Sequence, residues 1–544
     1  MENMKTRFID DAQYKWVTRY ENKTYLSFVG FLYSFEKLIQ GEDAITFLLK
    51  SFLKIKSSNQ LESFLKNITG HFSLYFSDSN KTIAIVDKIR SYPIYYINKE
   101  KLLSFSNSAM LLKSEFNLNT IDEKNKLVFS MAGYTLGNTT LFEDLFQIQA
   151  GELIFVDKQK DDIQRKNYYS FYNIDKYDLT QDELIAKFDE INKKVFNKLI
   201  ETLDGRQVVI PLSGGLDCRF ILAFLKEFGY DNIKTYTYGI KNLGEIKAAK
   251  YIAEKTHTTW KYIEFEPKEI RNIFHSEDRR DYFRYACGLN STPNLSGYFA
   301  HSILRQTDFI NKDAIIINGQ SGDFTSGAHI PLINNSEEDI FRTKDLLGFI
   351  IRKHYALWTN LLSNINMDQL SNDLIMLFAL PKNSKLTYQE IGNYFELIEW
   401  FERQSKYVVN GSRMYEWFGF DWRLPLWDDS YLDFWEKVAI QFKLNQNLLN
   451  VYLSKKNPGG LFNLNLPISK NRYSIYLKAT SMFMTLLAKL SNNEEISKYQ
   501  KLLKYYQQYG PYYPHQYFLD FLKDGKYHRN AVSYWSKYVL NEIL

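Results

Sequence analysis

The chain contains few residues of the types that form cross-links or metal cages. Among its 544 residues are 2 cysteines and 8 histidines. Cys218 and Cys287 do not form a Cys-x-x-Cys pair, which argues against both a zinc site and a disulfide framework. A chain with so little cysteine is typical of a reducing compartment. We therefore expect a cytoplasmic protein.

Long apolar runs and blocks of basic charge are also missing from the sequence. No run of about 18 apolar residues occurs, and residues 1–20 are polar and charged, so we expect neither a membrane span nor a signal peptide. The net charge of +5 is small for this length, and no block of five basic residues occurs. The sequence therefore predicts that nucleic acid is not a partner.

Length and strand patterns indicate at least two domains. A chain of 544 residues is too long for one hydrophobic core, and its 45% hydrophobic content is ordinary for a globular protein. Short alternating or β-branched segments predict strands at 71–76, 82–86, 93–97 and 151–156. We therefore expect a strand-rich first domain over residues 1–175.

The second predicted domain, residues 176–544, starts with an amphipathic helix over 180–204. Strands and helices then alternate, which is typical of a parallel α/β sheet. The predicted strands are 208–212, 234–238, 260–265 and 314–318, and the predicted helices are 220–228 and 245–255. Residues from about 335 to 544 are predicted to be mostly helical, with irregular stretches near 381–386 and 457–467. Aromatic residues at 412–436 are interpreted as helix core.

The most informative segment joins the first strand of this domain to the first helix after it. Val208–Ile210 is followed by Ser213-Gly214-Gly215 and then by an amphipathic helix. Backbone N–H groups converge at such a turn, and the helix dipole favours phosphate there. Asp217 beside a phosphate implies that a cation such as Mg²⁺ lies between them. No Gly-Lys-Ser/Thr follows, so this is not a P-loop.

Two further segments extend this site. Strand 234–238 ends at Gly239, where the backbone can hold adenine, and the next helix carries Glu245 as a second candidate metal ligand. Strand 314–318 runs into Asn318-Gly-Gln-Ser-Gly-Asp323, another glycine-rich turn with an acid. The carboxyl ends of parallel strands share one edge of a sheet, so these groups are expected near Ser213–Asp217.

Ser213-Gly-Gly-Leu-Asp217 resembles the pyrophosphate loop of the ATP pyrophosphatases, and the combined segments resemble class B asparagine synthetases. Relatives in that family include β-lactam synthetase and lasso-peptide cyclases. The resemblance implies an adenine-nucleotide α-hydrolase-like domain that uses ATP and Mg²⁺. It implies Asp217, Asp323 and Glu245 as metal ligands. It implies a nucleotide site formed by Leu212, Ser213, Gly214, Gly215, Asp217, Cys218, Gly239 and Gly319.

Some positions depart from the family pattern. Cys218 replaces a serine, and Gln320 replaces a glutamate that family members use in catalysis. A glutamine can orient a substrate but cannot titrate. The family's catalytic lysine aligns with Gln446, and Lys443, Lys455 and Lys456 lie nearby. The sequence does not decide among these lysines.

The first domain resembles the glutamine amidotransferase domain of the same family. Thr69–Phe76 and Asp87–Tyr96 carry the resemblance, which implies an N-terminal-nucleophile fold: two sheets flanked by helices. Active members use a cysteine at position 2, but here that position is Glu2, and no cysteine precedes Cys218. Val29 and Phe31 replace the residues that would hold glutamine. We therefore predict a degenerate glutaminase.

These observations predict an AMP-forming ligase with Asp217, Asp323 and Gln320 as catalytic residues. It would adenylate the carboxylate of a small molecule, glycan or peptide, and form an amide with an amine, free ammonia or ammonia from a separate subunit. A glutamine-dependent asparagine synthetase and an ATP-binding scaffold remain alternatives. His329, His354 and His515 are interpreted as structural.

Overall fold

The structure, a computed structural model, describes residues 4–240, 244–333, 341–382, 384–466 and 527–544, with positions 482, 483, 486, 487 and 490. Position 2 and His515 lie outside the described residues, as does most of the predicted helical stretch after 466. Within the described residues, no helix is both long and apolar enough to cross a lipid bilayer.

The strands are β1 Lys5–Ile9, β2 Val17–Glu21, β3 Thr24–Ser34, β4 Lys37–Gln40, β5 Ile68–Ser77, β6 Lys81–Val86, β7 Tyr95–Lys99, β8 Leu102–Ser106, β9 Phe146–Gln147, β10 Glu152–Asp157, β11 Asp162–Asn167, β12 Val208–Pro211, β13 Ile233–Gly239, β14 Thr259–Glu264, β15 Ile315–Ile317, β16 Phe341–Arg342, β17 Lys385–Leu386 and β18 Asp421–Arg423.

The helices are α1 Gly41–Phe52, α2 Ser58–Leu65, α3 Ala109–Glu115, α4 Glu123–Ala132, α5 Gln181–Leu203, α6 Leu216–Glu227, α7 Gly244–Lys255, α8 Pro267–Phe274, α9 Glu277–Cys287, α10 Leu295–Leu304, α11 Gly322–Thr325, α12 Thr343–His354, α13 Asn364–Leu377, α14 Tyr388–Ile398, α15 Arg413–Trp417, α16 Asp429–Trp435, α17 Ile440–Lys443, α18 Asn447–Lys456 and α19 Ala531–Ile543.

The amino-terminal part contains two facing sheets. One has the strand order β11-β10-β6-β5-β3-β2, with β4 paired to β3, and the other has the order β1-β8-β7-β9. Buried residues from both sheets, such as Tyr75, Val86 and Phe105, form the core between them. Helices α1 and α2 cover the outer face of the larger sheet, and α3 packs on β7 and β8. The strand predicted at 93–97 begins two residues later, at Tyr95.

Helix α5 connects this sandwich to a parallel sheet. Its first turn is fixed by a capping box between Thr180 and Glu183, and Leu184, Phe188 and Val195 lie on its buried face. The sheet has the order β14-β13-β12-β15-β18, and every neighbouring pair is parallel. The predicted parallel α/β sheet is therefore confirmed. The sandwich and this sheet share one hydrophobic cluster, which includes both Tyr95 and Val209.

The fifth strand corrects part of the prediction for residues 412–436. The aromatic residues of this segment are predicted to be helix core, but Trp422, although buried, lies in β18, which pairs with β15 through Ile316. Three residues are too short to show strand periodicity, and their pairing partner lies about a hundred positions earlier in the chain. Tertiary pairing therefore decides their conformation.

Before β18, one long helical stretch changes its winding three times. Helix α14 continues through π-helical turns over Glu399–Val408 and a 3₁₀ turn over Val409–Ser412 into α15. Such π-helical turns are rare and frequently occur at functional sites. Here they carry Glu399, which contacts His329, and Arg403, which pairs with Glu399.

Candidate nucleotide and ligase site

The turn between β12 and α6 leaves a helix end without a side-chain cap. Gly215 is the N-cap residue, with φ −69° and ψ 167°, and no side chain among the described residues caps α6. Within the turn, the Gly215 N–H donates to Ser213 Oγ at 3.1 Å. The N–H groups in the first turn of α6 can therefore donate hydrogen bonds to an anion.

Two residues that the sequence predicts to lie in the turn belong to the helix in the structure. Asp217 and Cys218 lie in the first turn of α6, because the helix begins directly after Gly215. Leu212, which directly precedes the loop, is buried. Its N–H donates to the carbonyl of Tyr236 at 2.7 Å, and its carbonyl accepts from Thr237 Oγ1 at 2.7 Å. The backbone N–H and carbonyl groups of Leu212 are therefore both hydrogen-bonded to residues of β13.

The loop after β15 packs directly against this turn. A Cβ built on Gly319 would lie 2.8 Å from the Cβ of Asp217, and one on Gly322 would lie 2.6 Å from Asp217 Oδ1. Such distances are below any ordinary carbon contact, so neither position accepts a side chain without displacement. The two glycines thus let the loops at 213–217 and 318–323 close on each other.

We expect Gly319→Ala to weaken ATP binding by tenfold or more, since the added methyl would push Asp217 away from its position. Overpacking of this kind typically costs about 1–3 kcal/mol of stability. Isothermal titration with ATP and Mg²⁺, together with a thermal melt, measures both effects. Gly411→Ala is the matched control, because a Cβ there meets side-chain atoms at an ordinary 3.6 Å. Equal ATP affinity in both variants and wild type would contradict the prediction.

Asp217 and Asp323 form a carboxylate pair with different environments. Burial raises the pKa of Asp217 to about 7, and the negative charge of Asp323 adds to the rise. Burial also acts to raise the pKa of Asp323. However, a hydrogen bond from His329 and its positive charge outweigh this effect, so that pKa lies below its usual value. Two oxygen ligands that repel each other favour a cation between them.

His329 connects this pair to the buried Glu399. Its Nε2 lies 3.0 Å from Asp323 Oδ2, and its Nδ1 lies 2.5 Å from Glu399 Oε1. Burial acts against the charged form, but the hydrogen bonds to both carboxylates raise the pKa of His329 to about 9. His354 Nε2 lies 3.3 Å from Glu399 Oε2, and burial lowers the pKa of His354 to about 4.

The sequence predicts a structural role for His329 and does not mark Glu399 as a site residue. The only local signal was that His329 follows Asp323 by six residues, after a second glycine turn. Glu399 lies 76 residues after Asp323 inside a helix, where no motif marks it. The structure brings the three side chains into one chain of contacts.

The surroundings of Gln320 and Cys218 limit the chemistry that these two side chains can perform. Gln320 N–H donates to Asn318 Oδ1 at 2.9 Å, and its side-chain amide donates to Ser412 Oγ at 3.2 Å. The amide is therefore fixed and cannot exchange a proton. Burial, helped by the charge of Asp217, raises the pKa of Cys218 to about 11, so its thiol is neutral.

The remaining predicted nucleotide contacts lie at the rim of the site. A Cβ built on Gly214 would lie 3.1 Å from the Cβ of Ala248, so α7 packs against the loop. Glu245 is exposed in the first turn of the same helix. The carbonyl of Gly239 accepts from Phe265 N–H at 2.8 Å and from Tyr262 Oη at 2.9 Å. Their roles towards a ligand stay predictions.

The candidate lysines are engaged elsewhere. Lys443 is buried, pairs with Glu396 at 2.5 Å and donates to the carbonyl of Trp435 at 3.1 Å. The other two pair with acids at the start of α5 and along it: Lys455 with Asp182 at 2.6 Å, and Lys456 with Asp189 at 3.6 Å.

Gln446, the position that aligns with the family's lysine, lies nearer the site. Its side-chain amide donates to Ser326 Oγ at 2.7 Å, just after α11. Like that of Gln320, this amide can orient a neighbour but cannot carry a proton.

The donor set suits Mg²⁺ better than a metal that needs an all-protein cage. Among the described residues, no group of three or more His, Cys, Asp or Glu side chains is arranged to hold a metal. Mg²⁺ is usually held by one or two carboxylates together with substrate phosphates and water. Asp217 and Asp323 fit that pattern.

Comparison with known proteins supports a family resemblance for this geometry. Residues 201–453, somewhat less than half of the chain, match the family model described as asparagine synthase. This part of the chain is similar to an asparagine synthase domain. The predicted resemblance to the asparagine synthetase-like family is thus confirmed there, and it supports an ATP-dependent, amide-forming ligase in general terms. The domain spans both loops, Glu399 and the whole parallel sheet.

Other comparisons add little. No curated protein matches the chain. A glutamine phosphoribosylpyrophosphate amidotransferase from B. subtilis complexed with ADP and GMP is 9% identical over 45% of our chain and 72% of its own, with a TM-score of 0.20. The structure titled as the allosteric regulatory enzyme of purine biosynthesis is 8% identical over 46% and 62%, with a TM-score of 0.19. At these TM-scores neither likeness defines the fold of our chain.

Proposed function

We propose that the chain is an AMP-forming ligase that adenylates a carboxylate and then forms an amide with ammonia or an amine. One observation carries the proposal. The uncapped start of α6 lies beside Asp217 and Asp323, at the carboxyl edge of a parallel sheet inside a region similar to an asparagine synthase domain. Anion-binding N–H groups and a repelling carboxylate pair are the two elements that a metal-bound triphosphate requires.

In this proposal the pyrophosphate part of ATP lies on residues 213–217. The glycines at 214, 215 and 319 let backbone approach the phosphates, and Gly239 contacts the adenine from the end of β13. Asp217 and Asp323 would hold Mg²⁺, which would neutralise phosphate charge, while Glu245 lies exposed on α7 and is not grouped with them. Gln320 orients the acid through its fixed amide.

The reaction then has two steps. A carboxylate oxygen of the acid attacks the α-phosphorus, the bond to the β-phosphate breaks, and pyrophosphate leaves. Nitrogen from ammonia or an amine next attacks the acyl carbon, and AMP leaves with the bridging oxygen. The residues of this chain contribute mainly position and charge complementarity. The acid is a small molecule, glycan or peptide carboxylate.

We further propose that residues 1–175 are a degenerate amidotransferase-like domain, packed on the ligase domain 176–544. Its observed layers, two sheets flanked by helices, agree with that ancestry. Val29 and Phe31 line a cavity of about 400 Å³, and at these two positions apolar side chains stand where the family has the polar groups that hold glutamine. Nitrogen would therefore come from free ammonia, an amine or a separate subunit.

The test is pyrophosphate release with ATP, Mg²⁺ and a panel of acids, with ammonium, amines or glutamine as nitrogen donor. We expect AMP and pyrophosphate with ammonium or an amine, and no glutamate from glutamine. Asp217→Ala should lower the rate at least about 100-fold. Unchanged release in that variant would contradict the proposal, and glutamate production would favour the glutamine-dependent synthetase instead.

A second candidate is an ATP-binding protein without turnover. The observation that favours it is the state of the groups expected to move protons. Gln320 and Gln446 cannot titrate, and Lys443 is engaged in a buried ion pair. This alternative predicts ATP binding by calorimetry without AMP formation with any acid of the panel.

A further inference from the structure

A cavity of about 130 Å³ is lined by His329, whose Nε2 also contacts Asp323. Four other parts of the chain meet around it. The residues just after α4 contribute Tyr134, the last turn of α12 contributes Lys353 and His354, the π-helical turns contribute Arg403, and the segment before α19 contributes Arg529. The cavity is too small for a nucleotide but has room for several water molecules.

The charge around this cavity has one sign. Lys353, Arg403 and Arg529 line it, and no carboxylate is among its described lining residues. A backbone carbonyl holds Lys353 in place without neutralising it, because Lys353 Nζ donates to the carbonyl of His329 at 2.6 Å. Arg529 donates to the carbonyl of Arg352 at 3.0 Å.

The nearest carboxylates are already shared. Glu399 Oε1 is contacted by His329 at 2.5 Å, by Gln404 Nε2 at 2.9 Å and by Arg403 Nη1 at 3.3 Å. Glu402 pairs with Lys406 at 2.9 Å. Within the part of the chain that the structure describes, no carboxylate lies within ion-pair distance of Lys353. Burial lowers the pKa of Lys353, although the charge of Glu399 acts in the opposite direction.

Two buried polar groups at the cavity also lack partners. The Tyr134 hydroxyl and His354 Nδ1 make no hydrogen bond to any described residue, and the two residues are 1% and 6% exposed. Buried polar atoms are rarely left without a partner, because each costs about 1–3 kcal/mol. A hydroxyl donor beside several cations suits a ligand that accepts hydrogen bonds.

We propose that this cavity is a second anion site, which takes a compact oxyanion such as a phosphate or carboxylate group, held by Lys353 and Arg403. The excess of donors over acceptors, the absence of a lining carboxylate and the small volume all select a ligand of that class. The site is separate from the loop at 213–217 and does not require that the chain be a ligase.

The test is calorimetric titration of the full chain with inorganic phosphate, without nucleotide. We expect Lys353→Met and Arg403→Lys each to weaken phosphate binding by tenfold or more, while Lys344→Met, at an exposed lysine in the first turn of the same helix α12, leaves it unchanged. Arg403→Lys keeps the positive charge, which protects the fold. It loses the planar guanidinium group that can hold an oxyanion through two parallel hydrogen bonds. Equal phosphate affinity in wild type and both variants would overturn the proposal.

Phosphate bound at the α6 loop must be distinguished from phosphate in the cavity. Gly215→Asp places a carboxylate at the exposed N-cap and should abolish ATP binding while phosphate still binds. Loss of phosphate binding in Gly215→Asp but not in Lys353→Met would also overturn the proposal. Competition by succinate would identify a carboxylate as the preferred ligand, and its failure to compete would identify phosphate.

Discussion

Asp217→Asn is expected to abolish pyrophosphate release and at the same time to make the ligand-free protein more stable at pH 8. Activity falls because Asn offers one weak oxygen ligand where Mg²⁺ needs a charged one. Stability rises because the native carboxylate is costly. Burial and the charge of Asp323 raise the pKa of Asp217 to about 7, from an ordinary value of 3.8.

The sign and pH range follow from linkage. Because its folded-state pKa is raised, the stability that Asp217 contributes is fully present below about pH 4 and is lost as the pH rises through about 7. The advantage of Asp217→Asn should therefore grow over that range and then level off. A shift of this size corresponds to at most about 4 kcal/mol, and solvent reaching the partly exposed carboxyl reduces it. Denaturant melts at pH 4.5 and pH 8 measure the growth.

Asp323→Asn provides the matched comparison, because its pKa moves the other way. The hydrogen bond and charge of His329 hold the pKa of Asp323 below its usual value, so the charged form stabilises the fold above that value. The variant should lose activity like Asp217→Asn but lose stability at pH 8. If both variants were destabilised equally, the two carboxylates would not differ as the structure indicates.

The parts of the fold that can be predicted from the sequence are marked by patterns among residues that lie close together in the chain. The strand, glycine turn and helix at 208–227 lie within twenty residues, and their order alone predicts an anion site. The proximity of Asp217 and Asp323 could also be predicted, because carboxyl ends of parallel strands share an edge. The structure brings them together, with glycines at 319 and 322 packed against Asp217.

The parts that sequence missed depend on contacts between distant segments. Strand β18 exists because it pairs with β15, and its three residues carry no periodic pattern. Glu399, the first residue of the π-helical turns, contacts His329 across a separation of 70 residues in the chain. The cavity lined by His329 takes its walls from five segments between residues 132 and 532. No spacing rule connects such positions.

Lys443→Met is expected to destabilise the protein strongly, by about 3–5 kcal/mol, because it leaves Glu396 buried without its cation. Both side chains are almost fully buried, and Lys443 also supports the turn at Gly327, which packs on its backbone. Loss of activity in this variant would therefore report unfolding, and a thermal melt beside the assay separates the two. Lys455→Met, at an exposed lysine paired with Asp182, is the control and should change neither.

The double variant Lys443→Met/Glu396→Gln distinguishes a structural lysine from a catalytic one. Replacing both members of a buried pair by neutral groups often restores stability, because no uncompensated charge remains. If Lys443 is structural, the double variant should recover most of the lost stability and also most of the pyrophosphate release. If it recovers the melting temperature but stays inactive, then Lys443 contributes to the chemistry despite its burial. That outcome would make the ion pair with Glu396 a resting arrangement that opens when substrate binds.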